Sequence, residues 1–587
     1  LKRRRPQPAS TDIATDSSQA VALHELRRLL AAGGDIELLG DPSMIQSAMV
    51  CPLRIATGSL ERGEGGLKVQ AFEDVLVAVD ASYPVRPPRV EVLHDRWLMF
   101  PHVMQGSRLC VFLDHDREWD PAAGMACLLN RLWTWFEDAV AGRFDPRTSL
   151  YHGVGGVQHV GQGAQTLVVA APLTCANPGI YPVAIRERSA RRLDLVAWGV
   201  RAGAADISGL AVVADGALPW GVGTTLPVLL ENLASPRRSG AKPHLPSIGF
   251  PDGSMLEARL RLAARDVAPG ERLCLVVAGR NPSLAGPEAY DLVAAMLDFD
   301  CIEAAGLTAA GSANLEGVDP LKLQFLRMDD VRPEIVTRRD DGRPVSWFEG
   351  KTVELWGCGA LGSWIAELLV RGGVERLVLR DSAIVTRGLL VRQNYREMDV
   401  GSSKSLALAE RLRLLSDDVD VQPEPHGDDA ARGEGLPDCD VLIDATVNVR
   451  VASALDHALA AGPTSTIVAQ VATDSESATL GILTVVPGES GAGVTDVDAT
   501  LRARVDSDPA LEAFQTLWHA DEGVLFAPAR GCSTPTFRGS GADAMSIASA
   551  AVSLLGPACE ARVAGGYLFA LPYTSNPGRT WVGYQAP

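Results

Sequence analysis

The run Gly357-Cys358-Gly359-Ala360-Leu361-Gly362 constrains the fold of this chain more than any other segment. Val353-Glu354-Leu355-Trp356 before it reads as a strand, and a helical pattern follows it through Leu369. A strand that runs through G-x-G-x-x-G into a helix needs glycine for the tight turn. It also needs glycine where a ligand approaches the helix N-terminus, whose unpaired N–H groups favour phosphate. A second strand, 376–379, ends near Asp381, which lies 19 residues after Gly362. An acid at that place accepts hydrogen bonds from ribose hydroxyls. Gly357, Gly359, Gly362 and Asp381 are therefore candidate nucleotide-binding residues. Glycine turns also serve packing alone, so the two strands and the acid add the necessary weight.

The residues that follow separate the kinds of nucleotide chemistry. Hydride transfer needs little positive charge near the ribose, whereas ATP needs cations and a metal-binding acid around its phosphates. Arg392-Gln393 comes 11 and 12 residues after Asp381, Lys404 follows soon after, and a strand over 440–443 delivers Asp444 with Asn448 close by. This order of parts resembles the adenylating domain of ubiquitin-activating enzymes and the bacterial ThiF family. The resemblance implies a Rossmann-like domain that binds ATP and Mg2+. Asp381 would hold the ribose, Arg392 and Lys404 the phosphate charge, and Asp444 the metal. Three features depart from the family pattern. Val447 replaces the second acid of D-x-x-D-N, Leu389 replaces an asparagine before the Arg-Gln pair, and the zinc-binding cysteine pairs are missing. Either Asp444 takes the metal or another group does.

Gly531-Cys532-Ser533-Thr534-Pro535-Thr536-Phe537 lies ahead of a predicted helix over 543–555. It is similar to the cysteine loop of activating enzymes, whose thiol attacks the acyl-adenylate. Such a place keeps the sulfur accessible and near the positive end of a helix dipole, which favours thiolate.

The first 150 residues read as an α+β unit, with helices over 16–32 and 122–141 and short strand-like runs between them. Tyr83-Pro84-Val85-Arg86-Pro87-Pro88 cannot be helical, because proline fixes φ and restricts the residue before it. That segment, then Phe100-Pro101-His102-Val103, then Leu109-Cys110, then Trp119-Asp120-Pro121, resembles a ubiquitin-conjugating enzyme. The resemblance makes Cys110 the acyl carrier. His102 stands eight residues before it, where the family has an asparagine thought to stabilise the oxyanion. His102 would donate a hydrogen bond there, act as a base, or be structural.

Residues 151–340 are rich in Gly, Ala and Pro and read as a middle α/β domain. Strands are expected over 166–171, 193–200 and 273–278, and a helix over 287–299; a degraded adenylating fold used for dimerisation is one candidate. Residues 332–350 read as a linker, and 341–587 as the adenylating domain. The whole is multidomain, α+β followed by α/β.

A net charge of −18 argues against binding to nucleic acid through phosphate contacts. No uninterrupted apolar run of 18 residues occurs, so no membrane span is expected. The ten cysteines include no C-x-x-C pair and read as reduced cytoplasmic thiols. Lys2 to Arg5, without an apolar stretch after them, read as a basic disordered tail.

Both ends together resemble bacterial fusions of conjugating and activating enzymes, including those of CBASS antiphage operons. The latter attach a cGAS-like nucleotidyltransferase to targets through its C-terminus. The resemblance implies ATP-dependent activation of a protein C-terminal carboxylate, a thioester on Cys532, transfer to Cys110 and conjugation to a lysine. The modifier would be a ubiquitin-like protein or such a nucleotidyltransferase, and the enzyme a homodimer. Two other readings stay open: a sulfur-carrier adenylyltransferase, in which Cys110 has no role, and a non-catalytic scaffold. Arg338 and Arg339 are guesses for an arginine finger.

Overall fold

The computed structural model describes residues 17–31, 33–94, 96–97, 100, 102–104, 108–144, 164–175, 177–204, 206–213, 226, 229, 253–265, 267–280, 290–304, 323–332, 338–425, 435–475, 477–518, 525–527, 534–536, 539–574 and 578–584. The chain divides into two compact units, Leu1–Thr337 and Arg338–Pro587.

The first sheet lies within the first unit. Its strands are β1 (Ile36–Leu38), β2 (Ser43–Ile45), β3 (Ala48–Ala56), β4 (Phe72–Val79), β5 (Arg89–Val92), β6 (Val103–Met104) and β7 (Arg108–Leu109). All are antiparallel, in the order β1-β3-β4-β5-β7-β6 with β2 beside β3. Strand alternation turns Met49, Cys51, Leu53 and Ile55 of β3 and Val75, Val77 and Val79 of β4 into one core. Two helices complete that core: α1 (Ser18–Leu30) supplies Ala22 and Leu26, and Met125–Ala141 supplies Leu128, Leu132, Trp135 and Phe136 at helical spacing. Each large side chain enclosed this way contributes about 1.5–3 kcal/mol. A one-turn helix, α2 (His115–Glu118), precedes the longer α3 (Met125–Ala141).

The second sheet is a mixed one. It holds β8 (Thr166–Val169), β9 (Gly179–Ser189), β10 (Arg192–Trp198), β11 (Ile207–Val213), β12 (Arg272–Arg280), β13 (Tyr290–Asp298), β14 (Gln324–Phe325) and β15 (Arg327–Asp330). β14 pairs with β13 at one edge, and β15, one residue further on, pairs with β8 at the other. Leu326 N–H donates to the Ala294 carbonyl at 2.9 Å, and the buried Arg332 ties Asp330 to the Tyr290 carbonyl. Residues 324–330 thus bridge both edges and close the sheet on itself around Leu167, Ile185, Leu195, Val276, Ala294 and Leu326. Pairings here are four antiparallel and three parallel. The helix expected over 287–299 is mostly strand β13. Its apolar run is buried on both faces, and such a run has the same periodicity in a helix and in a doubly covered strand.

The third sheet makes up the second unit and is of Rossmann type. β16 (Thr352–Trp356), β17 (Arg376–Arg380), β18 (Asp420–Glu424), β19 (Val441–Asp444) and β20 (Ile467–Thr473) are parallel. β21 (Leu480–Pro487), β24 (Gly565–Ala570) and β25 (Arg579–Gly583) extend it antiparallel, and β22 (Leu525–Ala527) and β23 (Thr534–Thr536) form a separate hairpin. The order β18-β17-β16-β19-β20 reverses direction between β16 and β19. A crevice at the C-terminal ends of strands where the order reverses is where such sheets bind ligands.

Helices α6 (Gly362–Arg371) and α7 (Lys404–Arg413) cover one face, and a third, Gly541–Ala561, packs with them against Leu355, Leu377 and Val485. This third helix is long and apolar enough to cross a membrane, but half of it is buried in the core of this unit. α8 (Val449–Ala460) and α9 (Val494–Ser507) cover the other face. Completing the order, α4 is Gly253–Ala264, α5 is Phe299–Ala304 and α10 is Gly541–Ala561.

Candidate active sites

The glycine turn joins β16 to α6 at the reversal point. Gly357 has φ +88, and a side chain on it would stand 2.9 Å from the Ala445 carbonyl carbon. A side chain on Gly362 would overlap the Gly357 carbonyl oxygen, whereas one on Gly359 meets nothing within 4 Å. The first and third glycines are thus demanded by the packing of the turn. The second faces open space, as close approach by a ligand requires.

Asp381 stands beside the turn. Its carboxylate accepts the Cys358 N–H at 2.8 Å and the Ala383 N–H at 2.7 Å, which fixes it at the end of β17. Lys404 opens α7 and is only 9 % exposed, yet it forms no ion pair among the described residues. Its charge reaches Cys358, whose thiol is pushed up by burial and by Asp381 and pulled down by Lys404. A desolvated ammonium with no counter-ion is costly until an anion completes it. Arg392 lies on the same connection, and burial lowers its pKa.

Sequence reading missed the network that holds this connection. Asn394 N–H donates to Ser363 Oγ at 3.0 Å, and Asn394 Nδ2 donates to Glu367 at 2.6 Å. Trp364 Nε1 donates to the Arg392 carbonyl at 3.2 Å, and the Tyr395 hydroxyl to the Cys358 carbonyl at 2.7 Å. Burial pushes the Glu367 carboxyl up, but hydrogen bonds from Asn394, Arg371 and Arg411 together hold it below the usual carboxylate range. These bonds staple the segment 392–395 to α6 and to the glycine turn. The only sequence signal is the presence of small and polar residues, Ser363 and Asn394, at places that an apolar helix–loop contact would otherwise fill.

Asp444, expected to hold the metal, is engaged by protein donors in this structure. It is 2 % exposed at the end of β19; one oxygen accepts from Thr446 N and Oγ1, the other from Gln470 Nε2 at 2.8 Å. Those three donors leave one acceptor position on Oδ2, and burial raises the Asp444 pKa. No group of three or more His, Cys, Asp or Glu able to hold a metal occurs among the described residues. Val447 has φ +51 and is 72 % exposed, an unfavourable conformation for a β-branched side chain. Arg338 bonds Asp340 at 2.7 Å and the Arg371 carbonyl at 3.1 Å, closing the C-terminal end of α6, which argues against an arginine finger.

In the first sheet, Cys110 follows β7 and is partly exposed; its Sγ–H donates to the Phe112 carbonyl at 3.2 Å. Its N–H donates to the His102 carbonyl at 2.8 Å, so the expected eight-residue spacing reflects a backbone bond across the β6–β7 hairpin. The His102 ring is 3 % exposed and packs edge-on against Phe144 at 4.6 Å, in an aromatic cluster with Phe100 and Trp135. That enclosure suits packing rather than service as a base. Of the family's landmarks, Trp119 Nε1 donates to the Pro84 carbonyl at 2.7 Å, locking the proline segment beside the cysteine loop. Cys532 lies outside the described residues, in the connection between β22 and β23.

Comparison with known proteins assigns both regions. Residues 348–499 match the ThiF family, and residues 47–153 match prokaryotic E2 family A. Two separate stretches of the chain are thus similar to these two families.

Among solved structures, Escherichia coli MccB with ATP aligns at TM-score 0.30 and 12% identity, covering 41% of this chain and 66% of MccB. PaaA gives TM-score 0.29 and 16% identity over the same shares. The E. coli tRNA N6-threonylcarbamoyladenosine dehydratase TcdA gives 0.26 and 20%, over 37% of this chain and 89% of TcdA. This chain therefore spans 66% of the length of PaaA and of MccB. No curated protein matches the chain.

Proposed function

We propose that this chain uses ATP to activate the C-terminal carboxylate of a protein as an acyl-adenylate and passes the acyl group through Cys532 and Cys110 to an amine. The observation that carries this reading is the coexistence of a ThiF match over 348–499 with a prokaryotic E2 match over 47–153. Activation without transfer would need only the first.

A carboxylate is a poor electrophile. Its oxygen attacks the α-phosphate of ATP and pyrophosphate leaves, so that the oxygen now carries AMP. The thiol of Cys532 then attacks the acyl carbon, loses its proton and forms a thioester as the C–O bond breaks and AMP departs. In the nucleotide site, Asp381 and Gly359 provide the ribose and close-approach positions, and Lys404 and Arg392 hold phosphate charge. ATP fits: the buried Lys404 ammonium has no ion pair among the described residues, and a triphosphate supplies one. Magnesium enters as part of the Mg–ATP substrate, and no step is assigned to it on Asp444.

Transfer from Cys532 to Cys110 separates recognition of the modifier from recognition of the target. The modifier is a ubiquitin-like protein or the C-terminus of a cGAS-like nucleotidyltransferase, and the acceptor is a lysine. This reading includes a cytoplasmic homodimer, and a role in antiphage defence that rests on the resemblance to CBASS fusions alone.

ATP–pyrophosphate exchange tests the first step. The protein is mixed with each candidate modifier encoded beside it. Exchange that needs the modifier's terminal carboxylate, and survives Cys532→Ala, supports adenylation ahead of thioester formation. Absence of exchange with every neighbour sinks the adenylation step.

A further inference from the structure

Cys110 has a cationic neighbour outside the family pattern. Leu109 points into the core, so Arg108 and Cys110 fall on the opposite side of β7. The bond from Cys110 N–H to the His102 carbonyl continues the β6–β7 ladder past the end of the strand, which keeps that alternation. Across the sheet, Arg108 stands opposite Glu91. The adjacent Arg89 is already committed to Asp80 through bonds of 3.0 and 3.3 Å.

Arg108 is half-buried and makes no ion pair or hydrogen bond among the described residues, and its Nε–H is enclosed without a partner. Burial and Arg89 both weigh against its charge, while Glu91, Cys110 and Asp80 favour it. For Cys110 the order is burial pushing the thiol up, Arg108 pulling it down, and Glu118 pushing it up again. Glu118 is itself bonded by Arg131, which offsets part of its field.

We propose that Arg108 is the electrostatic partner of Cys110, holding negative charge on its sulfur in both steps of acyl transfer. The inference rests on the reading of Cys110 as acyl carrier. In the first step, the Cys110 thiolate forms a new S–C bond to the acyl carbon. The S–C bond to the donor cysteine breaks, and that cysteine leaves as thiolate. In the second step, the amine nitrogen forms a C–N bond, the Cys110 S–C bond breaks, and the amine's extra proton passes to water. Cys110 begins the first step and ends the second as an anion beside Arg108. His102 does not fill this role, because its ring is enclosed by Phe144 and its neighbours.

The test uses the full-length protein without ATP or any modifier. Iodoacetamide labelling is followed from pH 6 to 10, and the Cys110 peptide is quantified by mass spectrometry. Arg108→Gln is expected to slow labelling of Cys110 near pH 7.5 by about three- to tenfold and to move its pH profile upward. Arg108→Lys is expected to recover most of the rate, and Cys127 to label unchanged. An unaltered profile in the Gln variant, or a Lys variant as slow as the Gln variant, overturns the proposal. Should Arg108→Gln fail to fold, Arg108→Met serves instead: labelling of Cys110 must slow as well, and an unchanged rate also overturns the proposal. No ATP is present, so a failure here leaves the relay untouched, and a failed relay with the predicted labelling leaves Arg108 as assigned.

Discussion

The glycine turn and the Cys110 strand both put chemistry at the end of a β-strand, but they hold it differently. At the turn, backbone sterics do most of the work: Gly357 and Gly362 cannot carry side chains, and the side chains of Asp381, Asn394 and Tyr395 bond to main-chain groups. Around Cys110, side chains decide the electrostatics, although the Cys110 N–H bond to the His102 carbonyl and the Sγ–H bond to the Phe112 carbonyl engage the main chain. A site built from backbone tolerates little change in residue type. A site built from side chains keeps its spacing while its chemistry changes, as His102 in an asparagine's place illustrates.

The sharpest contrast lies within the turn. Gly362→Ala should destabilise the second unit by about 3 kcal/mol or more, because its Cβ has no room beside the Gly357 carbonyl. Gly359→Ala should leave the melting temperature nearly unchanged and weaken only ATP binding, since its Cβ meets open space. Thermal melts with and without ATP separate the two; equal destabilisation would contradict the distinction.

Next in size is Lys404→Met, which should leave the fold intact and lower adenylate formation about a hundredfold or more. Pyrophosphate exchange measures this, and a loss below tenfold would mean that the buried ammonium does not meet the phosphates.

Glu367→Gln should have a smaller effect, about tenfold on ATP affinity, by loosening the bond to Asn394. It also carries a pH signature. The folded-state pKa of Glu367 lies below its ordinary value, so its stabilisation is present above the ordinary carboxylate pKa. It is lost as pH falls through the depressed folded-state pKa. Acid melts of wild type should show this component and those of Glu367→Gln should lack it.

The smallest effect belongs to His102→Gln. With its ring in the aromatic cluster, His102 should matter to stability by about 1 kcal/mol and to thioester discharge by less than about threefold. A hundredfold loss of discharge would restore it as a base.

The parts of this molecule legible in the sequence are those where backbone geometry dictates residue type. The glycines, the strand before them and the acid after β17 fall in that class, as does the proline segment locked by Trp119. What escaped depends on contacts between distant residues. The Asp444 carboxylate is taken by Gln470 from the neighbouring strand, 26 residues away. Lys404 differs from a surface lysine through burial without an ion pair among the described residues, which no spacing announces. Arg108 acquires meaning only from the register that sets it opposite Glu91 and beside Cys110. The second sheet was misread because β13 is apolar on both faces and because residues 324–330 serve two edges at once.

The central claim is the order of the relay. Wild type, Cys532→Ala and Cys110→Ala would each be incubated with Mg–ATP and the proteins encoded beside this chain. Reaction products would be run on non-reducing gels, with the adducts mapped by mass spectrometry. The account predicts thiol-sensitive adducts on both cysteines in wild type, none on Cys110 when Cys532 is replaced, and accumulation on Cys532 when Cys110 is replaced. Charging of Cys532 alone in wild type would contradict it in favour of sulfur-carrier activation. No adduct with any neighbour would contradict it in favour of a binding scaffold.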